Sequence, residues 1–167
     1  MKGNKNGVYA IIKRDYPKAL YIHCRNHVLN LCLVDAVSAI KEAEDFFALL
    51  KSLYAFITSS VVHTRFVKVQ EEMKVPSEKV KRLKSWPDTR WSCKISAIKA
   101  VHATFPYILR TLDIVEGENH AERRMKASCL KHQIGNFEFL FLLKVMLRIF
   151  SETECLTDHL QKESLHI

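Results

Sequence analysis

The stretch CKISAIKAVHATFPYILRTLDIV, from Cys93 to Val115, has the periodicity of an α-helix. Its large apolar residues recur at spacings of three and four, as they do on one face of a helix. They are Ile95, Ile98, Val101, Phe105, Ile108, Leu109 and Leu112. Pro106 lies inside the pattern and is expected to kink the helix. The stretch therefore predicts one long amphipathic helix with a buried face.

The same periodicity predicts seven or eight helices in the whole chain. One of the other helices ends at Tyr16, before Pro17. The rest cover residues 27–40, 42–58, 61–74, 121–131 and 136–160. Apolar residues surround the 27–40 segment on nearly every side, which predicts that this helix is buried all round. Only 4 Gly and 4 Pro occur in 167 residues, which disfavours many short strands. The expected fold class is mainly α.

One short apolar run, Ala19 to His23, is the best strand candidate because it is bounded by Pro17 and by polar residues. A single strand cannot form a sheet. Two alternatives follow. Either the chain is all-α and the run is not a strand, or the chain is a piece of a larger fold that holds the neighbouring strands.

The charge balance favours polyanions as partners. Lys and Arg number 26 against 18 Asp and Glu, which gives a net charge of +8 and a pI near 9.3. Five cysteines, an odd count, and no signal-peptide pattern favour free thiols in a reducing compartment. The apolar stretch from Phe137 to Phe150 is shorter than the ~20 residues of a membrane span. No membrane partner is expected.

Cys24 and His27 form a C-x-x-H pair, with His23 beside them. This pair is half a zinc site at most, because structural zinc takes four ligands. The favoured alternative is that Cys24 and His27 are buried at the end of the strand, where His27 bonds nearby backbone. We therefore expect no metal and no cofactor.

A basic segment, defined here as residues 79–94, is the candidate nucleic-acid site. It contains six cations and only one acid, Asp88. The cations are Lys79, Lys81, Arg82, Lys84, Arg90 and Lys94. Such an excess suits contacts with a phosphate backbone. Arg90 and Trp91, at the start of the predicted long helix, would contact a phosphate and stack on a base. For the run of cations the alternative is a solvated charged face. For the other two residues the alternative is that Trp91 is buried in the core and Arg90 pairs with Asp88.

Motifs of known catalytic sites are missing from the sequence. It has no Gly-rich phosphate loop, no G-x-S-x-G elbow and no H-E-x-x-H pair. A Cys24 nucleophile with His27 as its base would lack both an orienting third group and an oxyanion site. The chain is not expected to be an enzyme.

Several motifs together resemble hAT superfamily transposases, above all the domesticated MYM-type zinc finger and THAP-type relatives. The first, MKG at 1–3, NGV at 6–8 and PKALYIHCRNHVLNL at 17–31, resembles the segment after the second catalytic aspartate of that family. The others follow in family order. They are Ser59-Ser60 with His63 and Phe66, DTRWS at 88–92, NFEF at 136–139 and LTDHLQ at 156–161.

The resemblance implies a fragment of an RNase H-like α/β core at residues 1–40, followed by an all-helical insertion domain at residues 41–167. It makes Cys24 and His27 a structural motif, and gives Arg90 and Trp91 a role at a DNA end. The family's catalytic acids, two aspartates and a glutamate, would lie before Met1 and beyond Ile167.

The expected function is that of a non-catalytic, nuclear, transposase-derived fragment with weak, salt-sensitive DNA binding. One alternative is a helical protein-interaction module that associates with a partner or with itself and whose basic charge is incidental. In this alternative the apolar helix at residues 137–150 packs against the partner. Another alternative is a piece with no independent function.

Overall fold

A computed structural model describes residues 7–20, 24–73, 76, 83 and 91–160, without the side chains of residues 91–93 and 158. The described residues form seven helices and no strand, and 85% of them are helical. The helices are α1 Val8–Asp15, α2 Arg25–Ser38, α3 Lys41–Ile57, α4 Ser60–Glu72, α5 Trp91–Glu116, α6 Ala121–Ile134 and α7 Phe137–Leu160. The mainly α prediction is confirmed.

The strand prediction is only partly covered by the structure. Ala19 and Leu20 lie in no regular element, and Tyr21 to His23 lie outside the described residues. The part of the chain that the structure describes therefore contains nothing that supports an RNase H-like sheet.

Helix α5 is the centre of the fold. It packs against α4, α6 and α7, which make the most extensive contacts in the molecule with it. The apolar stripe predicted from the sequence is its buried face, on which Ile98, Val101, Ile108 and Leu112 are fully inaccessible to solvent. The helix extends through Pro106 and ends at Glu116. The predicted long amphipathic helix is therefore confirmed.

Helix α3 supplies the second half of the core, through aromatic rings. Phe46 packs against Phe139 of α7 with ring centroids 5.4 Å apart, and Phe47 meets Phe150 edge to face at 5.9 Å. The Tyr54 hydroxyl donates a hydrogen bond to the Ala97 carbonyl of α5 at 3.1 Å. These contacts join α3 to both of the long helices.

The turn between α6 and α7 has a specific chemistry at two consecutive residues. The Gly135 N–H donates to the Lys131 carbonyl at 2.9 Å, and a Cβ on Gly135 would lie 2.9 Å from that same oxygen. Any larger residue would have to move the backbone. Asn136 Oδ1 then accepts from the Phe139 N–H at 2.8 Å, which is the N-cap bond of α7.

Helix α2 contradicts the expectation of burial on every side. None of its residues is buried, and Val28, Leu31 and Val34 are exposed. Only Leu33 and Val37 pack partly on the core. The prediction was wrong because α2 lies at the edge of the bundle, where α3 and α7 provide its main contacts. No residue on the outer side of α2 is buried by the described part of the chain.

Burial of the Tyr54 side chain raises its pKa from 10.0 to about 12. The folded state holds this proton more tightly than the unfolded state does, so its contribution to stability is complete below pH 10. That contribution is lost as the pH rises towards 12. We expect the loss to reach about 1–2 kcal/mol of the free energy of unfolding.

The measurement is the free energy of unfolding by urea at pH 8 and pH 11 for the wild type and for Tyr54→Phe. The variant is less stable at pH 8 because it lacks the bond to Ala97. The difference between the two proteins should shrink at pH 11. A constant difference would show that Tyr54 ionises equally readily in both states.

Candidate nucleic-acid interface

The structure describes the basic segment at three places, namely Leu83, the backbone of α5 from Trp91, and Lys94. Lys79, Lys81, Arg82, Lys84 and Arg90 lie outside the described residues, as does the side chain of Trp91. The described places fix where the segment meets the helical body.

Leu83 is only 6% exposed and belongs to the hydrophobic core. It stands in the sequence between Arg82 and Lys84. Its burial therefore attaches the middle of the basic segment to the body of the protein. Sequence reasoning missed this contact, although a single Leu between two cations is a signal that could have indicated it.

The other end of the segment is fixed by α5, which begins at Trp91. Lys94 lies in the next turn, half-buried, with its ammonium 5.5 Å from the centroid of the Phe47 ring. This is a cation–π contact, in which the negative face of the ring attracts the charge. Lys94 is thus held against α3 at the start of α5.

Several cations elsewhere on the described body form ion pairs with acids. Glu118 receives both Arg65, at 3.1 Å, and Arg123, at 3.3 Å. Further pairs join Lys68 to Glu72, Lys99 to Glu154 and Arg148 to Glu152. Four of the eight net positive charges lie in residues 79–90 alone. Half of the net positive charge of the chain therefore lies in these twelve residues of the basic segment.

A shared network at the end of α5 shows how completely such a charge is neutralised. Lys131 Nζ lies 2.7 Å from Asp113 and 2.8 Å from Glu116. Hydrogen bonds to these two carboxylates, Asp113 first, raise the pKa of Lys131. Hydrogen bonds from Lys131 and then Ser128 lower the pKa of Glu116. Lys131 is therefore a structural cation and not one available for phosphate.

The C-x-x-H pair differs from its predicted environment. Cys24 precedes the first residue of α2, His27 lies in the first turn, and both are exposed. The expected burial was wrong because the start of α2 lies at the edge of the bundle. Within the described residues, no group of three or more His, Cys, Asp or Glu side chains could hold a metal ion. His23 lies outside those residues.

No helix in the described ranges is by itself long and apolar enough to cross a membrane. The pair α3 and α4 passes that test of length and composition when taken together, with a bend of 88° at the break between them.

No family model matches the chain, and no solved structure matches it.

Exposure of Cys24 has a direct chemical consequence. We expect the Cys24 thiol of the native protein to react rapidly with a thiol reagent such as Ellman's reagent, because nothing described covers it. The Cys24→Ser variant should show one fast-reacting thiol fewer. Cys129→Ser, which removes an exposed thiol on α6, is the matched control and should give the same decrease. An unchanged count in Cys24→Ser alone would mean that Cys24 is covered.

Proposed function

We propose that the chain is a non-catalytic fragment derived from a hAT transposase that binds DNA through its basic segment. The observation that carries this proposal is the attachment of that segment at two places. Leu83 is buried in the core, and the segment continues into α5 at Trp91. A run of cations attached to the body in this way can follow a phosphate backbone.

The chemical division of labour within the segment follows from its residue types. Lysines contact phosphates as point charges, whereas the planar guanidinium of Arg90 suits paired contacts to phosphate oxygens. Trp91 offers a ring face on which an unpaired base can stack. The binding needs no cofactor, and the chain performs no reaction on the DNA. In this proposal residues 1–40 derive from an RNase H-like core, residues 41–167 from the helical insertion, and the protein acts in the nucleus.

The experiment is a fluorescence titration with a DNA hairpin and a matched duplex at several salt concentrations. Affinity should fall steeply with salt, because each phosphate contact releases counterions. Arg90→Ala should lower the slope of log K against log salt by about 1. Trp91→Ala should leave the slope unchanged and weaken hairpin binding by about 5-fold or more, because it removes only stacking.

A matched control is available on the far side of the sequence. Phe137 is 81% exposed and the Arg148 side chain is 82% exposed, so the Phe137→Ala, Arg148→Ala double variant removes the same two kinds of group from α7. It should bind DNA like the wild type. Equal affinity of the Arg90→Ala, Trp91→Ala double variant and the wild type would exclude these two residues from the interface.

A second candidate function is a helical protein-interaction module. The specific observation in its favour is that α1 and α2 have no buried residue and yet expose Val8, Ile11, Val28 and Leu31. Apolar surface left uncovered on two consecutive helices is typical of a contact surface. In this function the exposed surface packs against a partner or another copy of the chain.

The two functions give opposite results in one pair of measurements. An interaction module should associate as its concentration rises and show no salt-sensitive DNA binding. Replacing Leu31 by Ser should reduce association while leaving the thermal midpoint nearly unchanged, because Leu31 is not in the core. Sedimentation velocity measures the association, and circular dichroism measures the midpoint. DNA binding by a protein that stays monomeric would contradict this second function.

A further inference from the structure

A groove of about 470 Å³ lies between α3 and the turn that joins α6 to α7. Its apolar lining comes from Phe46 and Leu49 on α3 and from Phe139 and Leu142 on α7. The two phenylalanine rings are almost fully buried and pack on each other, whereas the two leucines are half-exposed. The groove therefore has a firm apolar floor that solvent reaches from above.

The rim of this groove is acidic in a chain of net charge +8. Glu42 and Asp45 of α3 line it on one side and Glu138 of α7 on the other, and no Lys or Arg is among its described lining residues. None of the three carboxylates forms an ion pair with another described residue. The fitting occupant is an apolar segment that carries cations at its edges.

Helix α1 of the same chain has this chemistry. Val8, Ile11 and Ile12 fall on one stripe of the helix and are 45–55% exposed. An amphipathic helix of a folded domain normally turns such a stripe to the core. Arg14, which pairs with Asp15 at 3.1 Å, lies near the end of α1, and Lys18 follows the helix; both cations are exposed. Helix α1 and the residues just after it thus present an apolar stripe and two cations to solvent.

The lengths of the two surfaces also agree. The groove follows α3 from Glu42 to Ser52, which is about 15 Å at the rise of an α-helix. The eight residues of α1 span about 12 Å. One α1 therefore fits along one groove.

We propose that the groove binds α1 of a second copy of this chain. Val8, Ile11 and Ile12 would cover the apolar floor, while Arg14 and Lys18 would face the acidic rim. Groove and α1 are different surfaces, so the contact is heterologous and joins copies head to tail. The inference rests on the second candidate function, protein interaction, and names both surfaces of the contact.

The test uses two charge-reversed variants of the full chain. One is Glu42→Lys with Glu138→Lys, which makes the groove basic. The other is Arg14→Glu with Lys18→Glu, which makes the end of α1 acidic. In each variant alone the groove and α1 carry charge of the same sign. In an equimolar mixture each groove meets an α1 of opposite charge.

Sedimentation velocity over a range of concentrations measures the result. The wild type should associate as its concentration rises, and more weakly at high salt. Each variant alone should associate about 10-fold more weakly or worse, because like charges are forced together. The mixture should recover the association of the wild type. Lys144→Glu with Arg148→Glu makes the same charge change on α7 and should associate like the wild type.

Several results would overturn the inference. A wild type that is monomeric at every concentration excludes the contact. The same monomeric result is expected if α1 occupies the groove of its own molecule, which also excludes a contact between copies. Association that both variants retain would leave the interaction function standing and exclude this groove. A mixture that stays monomeric would show that opposite charges on the groove and on α1 do not restore the contact. The DNA titration is independent of all these results.

Folding of the variants has its own check, because Glu42 and Glu138 lie in the first turns of α3 and α7. Carboxylates there also stabilise the helix dipole. If the lysine pair fails to fold, Glu42→Gln with Glu138→Gln removes the rim charge with a smaller change. That pair should weaken association and reduce its salt dependence. Unchanged salt dependence in a folded glutamine variant would also overturn the inference.

Discussion

Burial of one face of α5 is the constraint on which the rest of this structure depends. Ile98, Val101, Ile108 and Leu112 are fully removed from solvent on that face, and each such side chain contributes about 1.5–3 kcal/mol relative to exposure. Helices α4, α6 and α7 all pack against α5. The Tyr54 bond to the Ala97 carbonyl, at 3.1 Å, adds α3 to the same helix. A loss of helical structure in α5 would therefore remove the packing surface of most of the domain.

Periodicity predicted this part of the fold well, because apolar residues at spacings of three and four predict both a helix and the side of it that is buried. The same principle failed at α2. Apolar residues on every side of a helix show that its burial would be favourable. They do not show whether other elements of the chain pack against each side. Val28 and Leu31 remain exposed for that reason, and Cys24 and His27 are exposed with them. Sequence patterns are local, whereas burial depends on neighbours distant in sequence.

The candidate sites show the same division. The excess of cations in the basic segment was visible in the sequence because they lie within sixteen residues of one another. The burial of Leu83 was not, since it depends on the core that the helices form. The acidic groove was missed entirely, because Glu42 and Glu138 are far apart in sequence and line one groove only when α3 packs against α7. No spacing rule brings such a pair together before the fold is known.

The two proposed surfaces are chemically opposite, and both depend on α3. Phe47 lies under the Lys94 ammonium of the basic segment, and Phe46, next to it, forms part of the groove floor. Their rings meet edge to face at 5.3 Å. The DNA contacts proposed for the basic segment and the contact between copies proposed for the groove therefore use different residues, although α3 supports both surfaces. Each of the two functions can be lost by substitution at one surface while the other surface stays intact.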